Sequence, residues 1–274
     1  MKKVIIVTGA SSGIGKSTAL KLIKEGHIVY GVARRVEKMQ DIVSRGGNAL
    51  TMDVTNHEQV HSQIQKIIED EGRIDVLVNN AGYAVYGPVE ETNYEQAKRQ
   101  FDVNLFGLAE VTKAVLPIMR EQSSGTIINI SSVGGKIYTP LGSWYHATKH
   151  ALEGWSDCLR LEVKQFGIDV VIVEPGAIKT EFDEVMEHQF GELTGPYASL
   201  KKTMGKVTSN AYKPENCSDP IVIANTISKI IHTKKPKTRY ASGKMAKQTL
   251  MGRKWLSDKG FDKMISRMIH NFDK

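Results

Sequence analysis

The chain has 274 residues, 41% hydrophobic and 24% charged, with 24 Gly against 8 Pro, a profile that excludes a disordered or collagen-like chain and fits one large domain or two small ones. The net charge of +7 is unevenly placed: from Lys229 onward 13 basic residues meet 3 acidic ones, a surplus of ten that leaves the rest at −3, so a basic tail follows a slightly acidic body and no nucleic-acid module is implied. Two cysteines, Cys158 and Cys217, exclude a disulfide framework, and no apolar run matches a membrane span or a signal peptide, so a cytoplasmic place with free thiols is expected.

Residues 3–8 (KVIIVT) are a short β-branched run that ends at Gly9, and 17–25 follow with helical spacing up to Gly26. The strand, Gly turn, helix unit then recurs. Strands are predicted at 27–33, 49–52, 75–79, 126–130 and 169–173, with helices at 58–71, 94–119 and 145–166 between them. Such alternation implies an α/β fold, a single doubly wound parallel sheet of Rossmann type with helices on both faces. Pro175-Gly176 closes the last of these strands. Residues 177–214 then form a polar, Gly- and Pro-punctuated stretch, long for a connection and so read as a substrate lid. A helix at 221–232 and an edge strand at 238–241 complete a unit spanning 1–243. Residues 244–274 are a basic helical extension, in which Phe261, Met264, Ile265, Met268, Ile269 and Phe272 form an apolar stripe at helical spacing. Three destinations compete for that stripe: the protein's own substrate mouth or a partner copy, an anionic membrane surface, and an acidic carrier protein. The first is the expected one.

The segment TGASSGIG, with Gly9, Ser11, Gly13, Ile14 and Gly15, lies between a strand and a helix, where backbone N–H groups and the positive helix end can hold a pyrophosphate. Alone, such a turn also suits close strand–helix packing. Tyr145 and Lys149 are four apart on a predicted helix and share a face. An ammonium beside a phenol favours the phenolate, so Lys149 is expected to lower the Tyr145 pKa and make the pair a general acid/base. At the end of the second strand, where NAD-binding folds carry an acid for the ribose 2′-hydroxyl, this chain has Ala33, then Arg34 and Arg35. A guanidinium fork suits a 2′-phosphate, which points to NADP(H). The eight histidines are read as scattered without ligand spacing, and no metal is expected.

TGASSGIG at 8–15, NNAG at 79–82, Ser132, the Tyr145-x-x-x-Lys149 pair and Pro175-Gly176 together resemble the short-chain dehydrogenase/reductase family, from residue 2 to about 240. VYGVARR and KPKTRYASG are similar to its 17β-hydroxysteroid dehydrogenase-like, NADP-dependent group. The resemblance implies an oxidoreductase that interconverts a carbonyl and an alcohol on a small to medium apolar substrate. It implies that Tyr145 exchanges the proton, Lys149 also holds the nicotinamide ribose, Ser132 hydrogen-bonds the substrate oxygen, and Asn104 helps a water relay protons to the lysine. It further implies that Asp53 and Val54 bracket the adenine, that Asn80, Ala81 and Gly82 lie along the adenosine ribose and diphosphate, and that Ile178 and Thr180, beside Pro175 and Gly176, meet the nicotinamide. A homodimer or homotetramer follows from the same likeness. A 3-oxoacyl-carrier-protein reductase and a catalytically silent NADP-binding sensor stay open as rivals. Lid residues Phe182, Met186, Phe190, Leu193, Tyr197 and Met204 suggest an apolar pocket.

Overall fold

The protein's structure, a computed structural model, describes residues 2–180 and 193–273. Among the described residues seven strands, β1 (Val4–Thr8), β2 (Ile28–Ala33), β3 (Asn48–Thr51), β4 (Val76–Asn79), β5 (Gly125–Ile130), β6 (Ile168–Pro175) and β7 (Arg239–Ser242), pair in parallel in the order β3-β2-β1-β4-β5-β6-β7. Among the described residues the helices are α1 (Gly13–Lys24), α2 (Gln40–Ser44), α3 (His57–Glu71), α4 (Tyr94–Phe101), α5 (Leu108–Glu121), α6 (Ser143–Val163), α7 (Ala198–Ala211), α8 (Ile221–His232), α9 (Ala246–Trp255) and α10 (Asp258–Asp273). Successive side chains of a strand face opposite sides. Ile5 and Val7 accordingly pack with Leu22 of α1 and Ile227 of α8. Val4 and Ile6 pack with Ile64 of α3, Val115 of α5 and Leu159 of α6. The central strands are therefore apolar throughout, as a sheet covered on both faces requires, and the expected doubly wound sheet is present.

The elements depart from expectation at three places. First, α1 begins at Gly13, four residues earlier than its apolar spacing indicates, because two glycines in its first turn carry no side chain to mark a face. Secondly, the expected helix 94–119 is broken by a π-turn, Asp102–Gly107, between α4 and α5. Here Gly107 lies so close to the loop after β3 that a Cβ on it would meet Val54 Cγ2 at 2.8 Å. Thirdly, 198–211 of the expected lid is a helix, α7, which buries Met204, Lys201, Thr203 and Thr208. Phe182, Met186 and Phe190 lie outside the described residues.

The C-terminal stripe is folded onto the chain itself. Phe261 is 1% exposed and meets Tyr138 edge to face at 4.9 Å between ring centroids. The Arg253 guanidinium stands over both rings, 5.6 and 5.3 Å from their centroids, and the Tyr138 hydroxyl donates to Asp262 at 2.9 Å. Ile265 is buried, and Ile269 packs against a cluster that includes Tyr86, Leu141, Tyr145 and Met204. Met264 remains 44% exposed. Of the three destinations, the chain's own surface beside Tyr145 is the one α10 occupies. Among the described residues no helix is long and apolar enough to cross a membrane.

Candidate active site

The strand order reverses between β1 and β4, and at such a switch point the chains leaving neighbouring strands part and open a crevice. Here the two exits are tied at their base. The Thr8 hydroxyl accepts from the N–H groups of Asn80 and Ala81, each at 2.9 Å, and the Asn80 amide donates to the Thr8 carbonyl at 2.9 Å. Above this tie lies a cleft of about 660 Å³.

Nearly all the expected cofactor residues line it: Gly9, Ser11, Gly13, Ile14, Arg34, Arg35, Asp53, Val54, Asn80, Ala81, Gly82, Pro175, Gly176, Ile178 and Thr180, together with Ser132, Tyr145 and Lys149. Gly15 and Asn104 do not. Gly15 serves packing, since a Cβ there would meet the Gly9 carbonyl oxygen at 2.4 Å. Gly9 itself has φ +66°, and a Cβ on it would lie 2.9 Å from the Ala81 backbone, so both turns at the cleft floor need glycine.

At one end of the cleft Arg34 and Arg35 are exposed beside the Gly-rich turn, and Arg35 Nη2 donates to the Ser11 and Ser12 hydroxyls at 3.4 Å. No carboxylate follows β2 in positions 33–35. Asp53 is fixed by Thr55 and by Arg99, whose Nη2 lies 3.2 Å away, and these bonds hold its carboxyl below its usual range despite burial.

At the other end β5 runs into Ser131 and Ser132, and α6 presents Tyr145 and Lys149 one turn apart, both buried. The Ser132 oxygen accepts from Gly134 N–H at 3.0 Å and bonds the Tyr145 phenol. Gly134 is needed there, for its Cβ would stand 3.0 Å from the Tyr145 ring. His146, next to Tyr145, is buried and braces this turn. Its Nδ1 bonds the Gly134 carbonyl at 2.9 Å and its Nε2 accepts from Thr139 N–H at 3.1 Å. Asn104 accepts from Tyr83 N–H at 3.0 Å and donates to the Tyr83 carbonyl at 2.8 Å and to Thr148 Oγ1 at 3.2 Å. Its side chain is thus spent on fixing the 80–83 loop against α6 and does not line the cleft.

The expected lowering of the Tyr145 pKa by Lys149 is not what the structure gives. Burial dominates and pushes the phenol up to about 12, partly opposed by the Ser132 bond. Burial also pushes Lys149 down to about 8, with Glu153 opposing, and its Nζ donates to the Ile130 carbonyl at 2.9 Å. Near neutral pH the pair is therefore a protonated phenol beside an ammonium, the state suited to giving a proton. The sign of the pH dependence follows. Below pH ~8 Lys149 holds its charge; above it the charge is lost, while Tyr145 keeps its proton to about 12. In the reductive direction kcat/KM, which reports the free enzyme, should be level up to about pH 8 and fall beyond it. A profile flat through pH 10 would show that the ammonium is not required.

Beside Tyr145 the wall turns apolar. Ala84, Tyr86, Leu141 and Met204 are buried against it, with Leu200, Tyr212 and Ile269 at the margin. Of the lid residues singled out, Met204 belongs to this wall, Leu193 is exposed, and the Tyr197 hydroxyl donates to Glu90 at 2.7 Å. Away from the cleft, His57 and His61 both reach Glu110, a convergence that the reading of scattered histidines missed. The H-x-x-x-H spacing was its signal.

Residues 3–190 match the family described as short chain dehydrogenase. The chain belongs to that family. Over 258 residues it is 38% identical to a 3-ketodihydrosphingosine reductase from Bacteroides thetaiotaomicron, covering 93% of this chain and 94% of that one. A short-chain dehydrogenase from Streptomyces avermitilis has the same fold with a TM-score of 0.81 at 35% identity, covering 98% and 96% of the two chains. An actinorhodin polyketide ketoreductase solved with NADPH gives 0.73 at 31% identity, covering 84% and 90%. Short chain dehydrogenases are oxidoreductases, and the cleft described above holds Ser132, Tyr145 and Lys149.

Proposed function

We propose that this short chain dehydrogenase uses NADP(H) to interconvert a carbonyl and an alcohol on an apolar substrate, working as a reductase near neutral pH. One observation carries the reading: a single cleft has Ser132, Tyr145 and Lys149 at one end and two exposed arginines at the other, where no carboxylate stands at positions 33–35 after β2. The cradle fits the cofactor. N–H groups at the α1 terminus would hold the diphosphate, Arg34 and Arg35 the 2′-phosphate, and Asp53 and Val54 the adenine. Asn80, Ala81 and Gly82 would lie along the adenosine ribose, Lys149 at the nicotinamide ribose, and Ile178 and Thr180 at the nicotinamide. NADPH bound there supplies the hydride. Tyr145 gives its proton to the carbonyl oxygen, and Ser132 donates a second hydrogen bond to the same oxygen as its charge grows. Asn104 keeps the 80–83 loop and α6 in register around them.

The apolar wall, roofed by Ile269, suits a hydrocarbon-rich ketone, and 3-ketodihydrosphingosine, named in the relative from Bacteroides thetaiotaomicron, is the first to try. In this reading 1–243 is the catalytic unit and 244–274 its roof. The test is NADPH oxidation with 3-ketodihydrosphingosine, steroids, simple ketones and 3-oxoacyl thioesters. Turnover of at least one carbonyl supports the reading; binding of NADPH with turnover of none makes the chain a sensor. The steroid arm tests the likeness to the 17β-hydroxysteroid dehydrogenase-like group.

Two contacts complete the proposal, in a cytoplasmic setting. Exposed Phe106 and Leu161 (60% and 68%), beside a shallow groove between α5 and α6, suit pairing of two copies. On α9, Lys247, Met251, Lys254 and Trp255 share a face, with Met251 62% and Trp255 80% exposed, and a basic stripe carrying Trp suits the surface of an anionic membrane.

A further inference from the structure

Outside the cleft, three ligand-type side chains converge where the start of α3 lies against the start of α5. His57 and His61, one turn apart on α3, have ring centroids 4.3 Å apart. His57 Nδ1 and His61 Nε2 each stand 2.7 Å from one oxygen of Glu110, Oε1. The three ligand atoms lie within 4.8 Å of one another. Lys113 is 3.8 Å from the other oxygen, Oε2, so it does not contest Oε1.

We propose that His57, His61 and Glu110 bind one divalent transition-metal ion, with zinc as the fitting occupant, and that the ion clamps α3 to α5. Zinc takes imidazole and carboxylate ligands at about 2.0–2.2 Å, which sets neighbouring ligand atoms of a tetrahedral site roughly 3.3 Å apart. The nitrogen–oxygen pairs need to open by about 0.6 Å to reach that spacing, a change that side-chain rotation supplies without moving a helix. Two imidazoles with one carboxylate select zinc, nickel or copper over magnesium and calcium, whose preferred ligands are all oxygen. The side chains of His57 and His61 are 67% and 47% exposed, which gives an ion its entry and leaves the fourth position to water.

A second trio, Glu25, His27 and His232, also converges but lacks free ligand atoms. His27 Nδ1 accepts from the Lys3 N–H at 3.3 Å, which leaves the proton on Nε2. Lys21 and the Ser228 hydroxyl already bond the Glu25 carboxylate. Among the described residues, the α3–α5 trio makes no such competing bonds at its three ligand atoms beyond those among its own members.

The position of the clamp gives it a structural use. Asp53 and Val54 lead into α3, and the π-turn carrying Asn104 leads into α5. A bound ion would join the adenine end of the cleft to the turn that fixes the 80–83 loop. It would resist the parting of those two walls and take no part in the transfer of hydride or proton.

The test uses the full chain, stripped with a chelator and titrated with zinc by calorimetry and with cobalt by visible absorption. One saturable site is expected, with a melting temperature about 5 °C higher once zinc exceeds its Kd 100-fold. Magnesium should produce no shift. His61→Ala and Glu110→Gln should each weaken zinc at least tenfold, and His57→Ala with His61→Ala together should remove the site. These are surface changes, so the metal-free melting temperature and NADPH affinity should stay at wild-type values, which confirms that the variants fold. The proposal is overturned if the wild type shows no saturable zinc binding, or if the double variant binds zinc as tightly as the wild type.

Discussion

Tyr145→Phe is expected to lower kcat by roughly 10²–10⁴-fold while NADPH affinity stays near its wild-type value. The substitution keeps the ring that packs 5.6 Å from Tyr86 and removes only the hydroxyl, so the apolar wall survives and the proton donor does not. Burial holds the Tyr145 proton in place to about pH 12, and the ring stands within hydrogen-bond reach of Ser132. His146, one residue on, cannot substitute, because both its ring nitrogens are engaged with the 134–139 loop. The measurement is single-turnover NADPH oxidation beside a direct titration of NADPH. Near-normal turnover in the variant would take Tyr145 out of the reaction, and a parallel loss of NADPH affinity would show that the hydroxyl holds the cleft together instead.

Arg34→Ala should weaken NADPH by roughly 10–150-fold and NADH far less, which corresponds to the loss of one charged hydrogen bond of about 1.5–3 kcal/mol. Arg34 is the cleaner of the two arginines to remove. Arg35 also donates to Ser11 and Ser12, so its loss would loosen the Gly-rich turn and touch both cofactors. Titration of each nucleotide with each variant separates the effects. Equal losses for NADPH and NADH in Arg34→Ala would make Arg34 a structural residue, and a wild type that favours NADH would remove the 2′-phosphate assignment.

The sheet and the ends of the cleft were legible because their signals are local. VIIVT, DVLVN and TIINI are short apolar runs that only a covered parallel strand uses well, and the Gly-rich turn, the tyrosine–lysine pair and the two arginines each sit within a few residues of a strand end. What stayed hidden depends on contacts across the sequence. At the π-turn around Asn104, Gly107 lies against Val54, 53 residues earlier, a contact of which the helical spacing of 94–119 gives no sign. The burial of His146 depends on the turn at Gly134, twelve residues earlier. The direction of the Tyr145 shift depends on how dry its surroundings become, which neighbouring residues in sequence do not reveal. His57 and His61 carried a readable spacing, but their carboxylate comes from another helix.

The roof over Tyr145 has a consequence for how the protein is made. Ile269 completes the apolar wall, and Gly176, at the cleft, packs on the far side against Lys244, where a Cβ would meet the Lys244 carbonyl oxygen at 2.1 Å. Both partners are synthesised long after the residues they complete. At about 5–20 residues per second, a ribosome needs roughly 6–25 s to travel from Tyr145 to Ile269. When that interval opens, the Gly-rich turn, Arg34, Arg35, Asp53 and the 80–82 loop are already made, while Ile178, Thr180, Met204 and Ile269 are still to come. The substrate end of the cleft is therefore the last part of it to be completed.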